Sequence, residues 1–166
     1  PPGRAGCVSD GRRRWQSLAT RCDEEGTHPR PPRTPAVLRG RARARSRAQV
    51  VACDTHPLYT PRVRTRLMEA YDLPRERMLE FLRFAFEGGL KTLEARLSGE
   101  PGTGRFAQGD AVSHADLCIA SLWVGTGIFG IDTAPYPTVK RVAEACLALD
   151  AVARAHPLKQ PGAPAQ

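Results

Sequence analysis

The 166-residue sequence is poor in lysine, in aromatic residues and in long apolar runs, and each shortage removes a class of protein. No apolar segment approaches the roughly 18 residues that a membrane helix needs. The opening PPGRAGCVSDGRRRW lacks the charged-then-apolar layout of a signal peptide, so no membrane association is expected. The 5 cysteines are odd in number, irregularly spaced and never arranged as C-x-x-C, which argues against both a disulfide framework and a zinc finger. A reducing, cytoplasmic location and no metal site are the corresponding expectations. Nucleophile-elbow, phosphate-loop and H-E-x-x-H signatures are missing as well.

What is present in excess is arginine, at 22 residues against 3 lysines, giving a formal charge of +8. Residues 1 to 50 carry 12 Arg against 4 acidic residues, whereas residues 51 to 166 balance 13 bases against 13 acids. The excess therefore lies in the first third. A strand-binding or groove-reading surface interleaves basic residues with aromatics or polar base readers. This stretch offers only Trp15 within an Arg/Ala/Pro-rich run, so a solvated basic segment is favoured over nucleic-acid binding through residues 1 to 47.

Proline and glycine punctuate residues 1 to 35, leaving room for one short helix near Gln16 to Glu25 and a linker. From Ala36 the run RGRARARSRAQVVACDTHPL is built from good helix formers and predicts a long helix, bent near Pro57 or Pro61. Pro74 suits a first helical position. The recurrence of Met78, Leu82, Phe86, Leu90, Leu93 and Leu97 then predicts an amphipathic helix to about Ser98. Ser113 and Asp116 have capping-box spacing, Asp taking the usual Glu position. The helix they open, ADLCIASLWVGTGIF, is apolar on nearly every side and is expected at the centre of a bundle. A last helix begins after Tyr136-Pro137, with Val139, Val142, Ala143, Cys146 and Leu147 inward. Cys53, Cys118 and Cys146 read as small buried apolar residues, and Trp123 as core. No strand pattern follows residue 36.

Four segments, VACDTHPLYTPRV (51 to 63), GRFAQGDAVSHADLCIAS (104 to 121), IDTAPYPTV (131 to 139) and HPLKQPGAP (156 to 164), resemble in order and spacing the C-terminal domain of zeta-class glutathione transferases. That is the family of maleylacetoacetate and maleylpyruvate isomerases. Gln16-Ser17-Leu18-Ala19, followed by Thr27-His28-Pro29, is similar to the family's QSLA helix at the end of its thioredoxin-like domain. The resemblance implies a mainly α fold: residues 1–35 as a truncated or degenerate remnant of the thioredoxin-like domain plus linker, and residues 36–166 as the all-α domain. It also implies a homodimer, glutathione as cofactor, and cis-trans isomerisation of a maleyl keto acid in the breakdown of aromatic compounds or tyrosine. The alternative is a non-catalytic helical dimerisation module or pseudoenzyme remnant.

Glutathione-binding positions implied by the resemblance are Gln16, Ser17, His56, Thr60 and Arg62. A helix N-terminus such as that of Gln16-Ser17 favours the glutamyl carboxylate, and Arg suits a substrate carboxylate. The Asn that the family carries near Thr60 is missing, and Gly127-Ile128 occupy the place where an Arg usually precedes Phe129. The serine segment that activates the thiol finds no counterpart, so no catalytic residue is assigned and an impaired isomerase is expected. Other readings stay open: Ser17 as a plain helix cap, His56 as a cap at the proline kink, and Arg62 as part of a solvated face with Arg64 and Arg66.

Overall fold

In the computed structural model the described residues are 34–163, nearly all within a compact unit spanning Leu38–Gln166. The helix expected near Gln16 to Glu25 lies outside them, as do Gln16 and Ser17 themselves. Among the described residues the fold is helical and contains no strand, only an isolated bridge between Thr103 and Gly109.

The first helix, α1 (Pro35–Gln49), opens with proline in a first-turn position, where its missing N–H costs no hydrogen bond. It does not run smoothly to Pro57. Its continuation, Val50–Thr55, is a π turn, in which the His56 N–H reaches back to the Val51 carbonyl and the Thr55 hydroxyl donates to the Val50 carbonyl at 3.0 Å. The wider turn falls just where Pro57 cannot supply an N–H and its ring would crowd the carbonyl four residues before it. Two short helices follow, α2 (His56–Tyr59) and α3 (Pro61–Ala70), parted by an extended Thr60 (φ −60°, ψ 148°). A residue before proline is pushed out of the helical region. The single bend expected from the prolines is thus a π turn followed by a break.

The long helix α4 (Arg75–Gly99) buries Met78, Leu82, Ala85, Phe86, Gly89, Leu90, Leu93 and Leu97, the stripe that the sequence periodicity marks. Pro74 sits one residue earlier than expected, as the cap, with its carbonyl accepting from the Met78 N–H at 3.0 Å. Gly89 lets the π turn approach closely, since a Cβ there would lie 2.2 Å from the Thr55 hydroxyl. Helix α5 (His114–Phe129) ends at Gly130 in the left-handed region (φ 64°), which glycine adopts without a Cβ penalty.

Helix α6 (Pro137–Leu147) turns Val139, Val142, Ala143 and Cys146 into the core, while Leu147 is half-buried. Its N-terminus is held from a neighbouring helix: the Glu94 carboxylate accepts from the N–H groups of Thr138 and Val139 at 2.9 to 3.1 Å. A carboxylate is well placed against the free donors and positive dipole end of a helix. A short α7 (Asp150–Arg154) and a 3-10 turn (Pro157–Lys159) complete the described chain.

Helix α5 is central, as expected, but it is not enclosed all round. Ala115, Ile119, Leu122 and Gly125 face the core, whereas Leu117 and Ile128 are 48% and 56% exposed. Leu117 and Val124 open onto a groove of about 320 Å³ lined on its far side by Leu147, Val152 and Pro157. The cysteines divide too: Cys146 is buried, Cys118 is half-buried and Cys53 is exposed. Trp123 packs on the core while remaining partly accessible.

Two polar networks fasten the bundle. Arg47, fully buried, donates through Nη1 to the Ala107 carbonyl and through Nη2 to the Arg96 carbonyl at 3.3 Å and to Glu100 at 3.2 Å. Burial lowers its pKa, and the opposing pull of Glu100 restores part of the loss. Asp116, also fully buried, accepts from Ala107 N–H at 2.6 Å, and from Ser113 N–H and Ser113 hydroxyl at 2.7 Å each. The carboxylate that caps α5 therefore also pins the loop entering it.

Candidate functional site

The nominated residues His56, Thr60 and Arg62 lie on α2, at the break after it and at the start of α3, and the two prolines shape this stretch. His56 opens α2 with its ring exposed and edge-on to Tyr59 at 5.0 Å between centroids. No side-chain hydrogen bond is made by His56 within this region, so the ring does not cap the kink. Thr60 donates its hydroxyl to the Pro57 carbonyl at 3.4 Å, and its own carbonyl accepts from Val63 and Arg64 N–H groups at 3.1 Å. Arg62 is exposed on the first turn of α3. The break at Thr60 puts it on a different helix from His56.

Beneath this rim lies an aromatic cluster that the sequence pattern does not disclose. Tyr59 stacks on Phe86 of α4 at 4.5 Å, and Phe129 at the end of α5 meets both rings, at 6.4 Å from Tyr59 and 5.6 Å from Phe86. The Arg64 guanidinium lies 5.1 Å from the centre of the Phe129 ring. Two polar atoms here are buried without a hydrogen-bond partner, the Tyr59 hydroxyl and the Arg64 Nε. Burial, with a smaller contribution from nearby Cys118, pushes the Tyr59 phenol up to about 12, so it stays protonated as a donor. The one advance signal for Arg64 is its place one helical turn after Thr60; Phe129, which holds it, is remote in sequence.

Neither Cys118 nor Cys146 is set up as a nucleophile. Burial raises the Cys118 thiol, which lies 3.6 Å from the His114 Nε2, and raises the Cys146 thiol with Asp116 adding to the effect. A reactive cysteine requires the opposite shift. Among the described residues no group of three or more His, Cys, Asp or Glu could hold a metal ion. No helix among them is long and apolar enough to cross a membrane.

No protein-family model matches the chain. Solved structures define its class as the glutathione-transferase fold, the described residues being consistent with the C-terminal helical domain. A maleylacetoacetate isomerase of Methylobacterium extorquens AM1, solved with bound malonate and glutathione, is 76% identical with a TM-score of 0.76, covering 90% of this chain and 70% of that one. A bacterial maleylpyruvate isomerase described as a zeta-class glutathione transferase is 30% identical with a TM-score of 0.75, over 90% of this chain and 69% of that one. Among curated proteins, the maleylacetoacetate isomerase of Dictyostelium discoideum is 34% identical over 157 residues, 95% of this chain and 70% of that protein. The chain belongs to the maleylacetoacetate and maleylpyruvate isomerase family, the zeta class of glutathione transferases. It spans about two thirds of the length of its curated relatives, 65% and 70% of the first two.

Proposed function

We propose that the chain serves glutathione-dependent cis-trans isomerisation of a maleyl keto acid, maleylacetoacetate or maleylpyruvate. The observation that carries this reading is the 76% identity to an isomerase holding glutathione and malonate. The residues on the α2–α3 rim fit a tripeptide thiol and a small dianion. His56 and Arg62 present a ring nitrogen and a guanidinium toward solvent from one short stretch, with the half-buried Thr60 hydroxyl between them on the Pro57 carbonyl. The unpartnered donors of Tyr59 and Arg64 lie just beneath.

Glutathione supplies a thiolate whose reversible addition to the cis double bond leaves a single bond free to rotate. For its part the chain binds and orients. Arg62 would attract a substrate carboxylate, with charge-assisted geometry fixing the acid end while the far end turns. His56 and Thr60 would contact the peptide, Gln16 and Ser17 the glutamyl end. Neither Cys118 nor Cys146 competes as a nucleophile, because burial keeps both thiols protonated. Residues 1–35 are assigned to the thioredoxin-like side of the family and 36–166 to the helical domain. A homodimer and a cytoplasmic location complete the reading; Phe84 on α4, 71% exposed, supports the dimer as a large apolar side chain without cover.

The test is conversion of maleylpyruvate and maleylacetoacetate to their trans isomers by the whole chain, with and without glutathione. Slow turnover that depends on glutathione is expected. Folded protein that gives no glutathione-dependent conversion of either acid overturns the reading.

A further inference from the structure

Arg64 is the residue of the α3 arginine row whose setting is not that of a solvated side chain. Arg62 and Arg66 are exposed, while Arg64 is half-buried and lies over the Phe129 ring. A guanidinium stacked on an aromatic face is held with its N–H groups directed outward in its own plane. One of those groups, at Nε, is out of water and unpartnered, and the ion pairs of the described chain do not include Arg64. The Tyr59 hydroxyl, in the same aromatic cluster, is a second buried donor without an acceptor. Leaving desolvated donors unmet is costly unless an acceptor arrives. An acceptor that suits a planar cation and a phenol together is a carboxylate, taken by the Nε edge of the guanidinium.

We propose that Arg64, held on Phe129 and assisted by the Tyr59 hydroxyl, is a carboxylate-binding, specificity-determining residue of this chain, selecting short dicarboxylates and keto acids. The choice of ligand class rests on the isomerase reading above; the residue assignment rests on the geometry alone. Arg62 then meets the acid from the solvent side, and Arg64 receives the end that becomes buried.

Malonate is the probe, added to the whole chain without glutathione. The Arg64 Nε–Hε signal in a nitrogen–proton spectrum should shift on titration, and calorimetry should give a dissociation constant. Arg64→Leu, which removes the charge but keeps an apolar side chain on Phe129, should weaken malonate binding about tenfold or more. Arg64→Lys should fall between, because a point charge cannot reproduce the fork. Arg66→Leu, the same charge loss on the exposed side of the helix, should stay within about twofold. Circular dichroism on each variant separates lost binding from lost folding, and the shift of the Arg64 signal in the unaltered chain needs no variant. No malonate binding by the unaltered chain, an unmoved Arg64 signal, or equal losses in Arg64→Leu and Arg66→Leu would overturn the proposal. Malonate binding through Arg64 in a chain without glutathione-dependent turnover would instead remove only the isomerase reading.

Discussion

Two corners of the bundle treat their arginines in opposite ways. At the end of α1, both terminal nitrogens of Arg47 are paired, to carbonyls of Ala107 and Arg96 and to Glu100, and the neighbouring Asp116 carboxylate accepts three hydrogen bonds. At the start of α3, Arg64 has a ring beneath it and no acceptor among the described residues, beside a tyrosine hydroxyl in the same state. The first corner has spent both terminal nitrogens of its arginine on the fold and leaves only the buried Nε unpartnered. The second keeps donors in reserve, in a place where the chain is broken by Pro57 and Pro61 and backed by rings. A guanidinium whose terminal nitrogens are both paired locks elements together, whereas one without such partners close to solvent is where a ligand can gain.

The largest effect that would break this contrast belongs to the Arg47 corner. Arg47→Ala should destabilise the protein by about 2 to 4 kcal/mol, because it strands the Ala107 carbonyl, empties a fully buried site and removes one of the two arginines paired with Glu100. Urea unfolding measures it, and a loss below about 1 kcal/mol would mean the network is ornamental. Asp116→Ala should follow at about 2 to 4 kcal/mol, more than a helix cap alone contributes, since the loop donor at Ala107 loses its acceptor along with the cap. Equal losses for Asp116→Ala and for an ordinary exposed cap would separate the loop from the helix.

Tyr59→Phe sharpens the other side and should be the smallest change at neutral pH, because it deletes a buried hydroxyl that has no partner. Its effect should appear in alkali. The unfolded chain releases a tyrosine proton near 10 while the folded chain holds this one to about 12, so the folded state binds more protons between those values and loses stability as pH rises through them. The variant should therefore lose less stability from pH 10 upward than the parent. Identical alkaline limbs for the two proteins would place the phenol in water.

The periodic parts were readable. Met78, Leu82, Phe86, Leu90, Leu93 and Leu97 recur at helical spacing and are buried along one face, and the Ser113–Asp116 pair starts α5 where its spacing says. Local chemistry at the prolines showed that the chain must bend near residue 57 or 61. It did not show the π turn, which depends on how closely Thr55 can sit against Gly89. The rim residues His56, Thr60 and Arg62 could be nominated by resemblance, while Tyr59 and Arg64 could not, since their meaning arises from Phe86 and Phe129 on other helices.

By itself, then, the sequence determined the helical class, the buried stripe of α4, the capped start of α5 and the family to which the chain belongs. Those features follow from spacing, propensity and short-range hydrogen bonds, all of which operate within a few residues. Tertiary structure alone decided that α5 leaves Leu117 and Ile128 in the open, that Glu94 caps α6, and that Arg47 is anchored through both terminal nitrogens while Arg64 rests on a ring. Each of these depends on which surface a distant helix covers, and a local pattern carries no record of that.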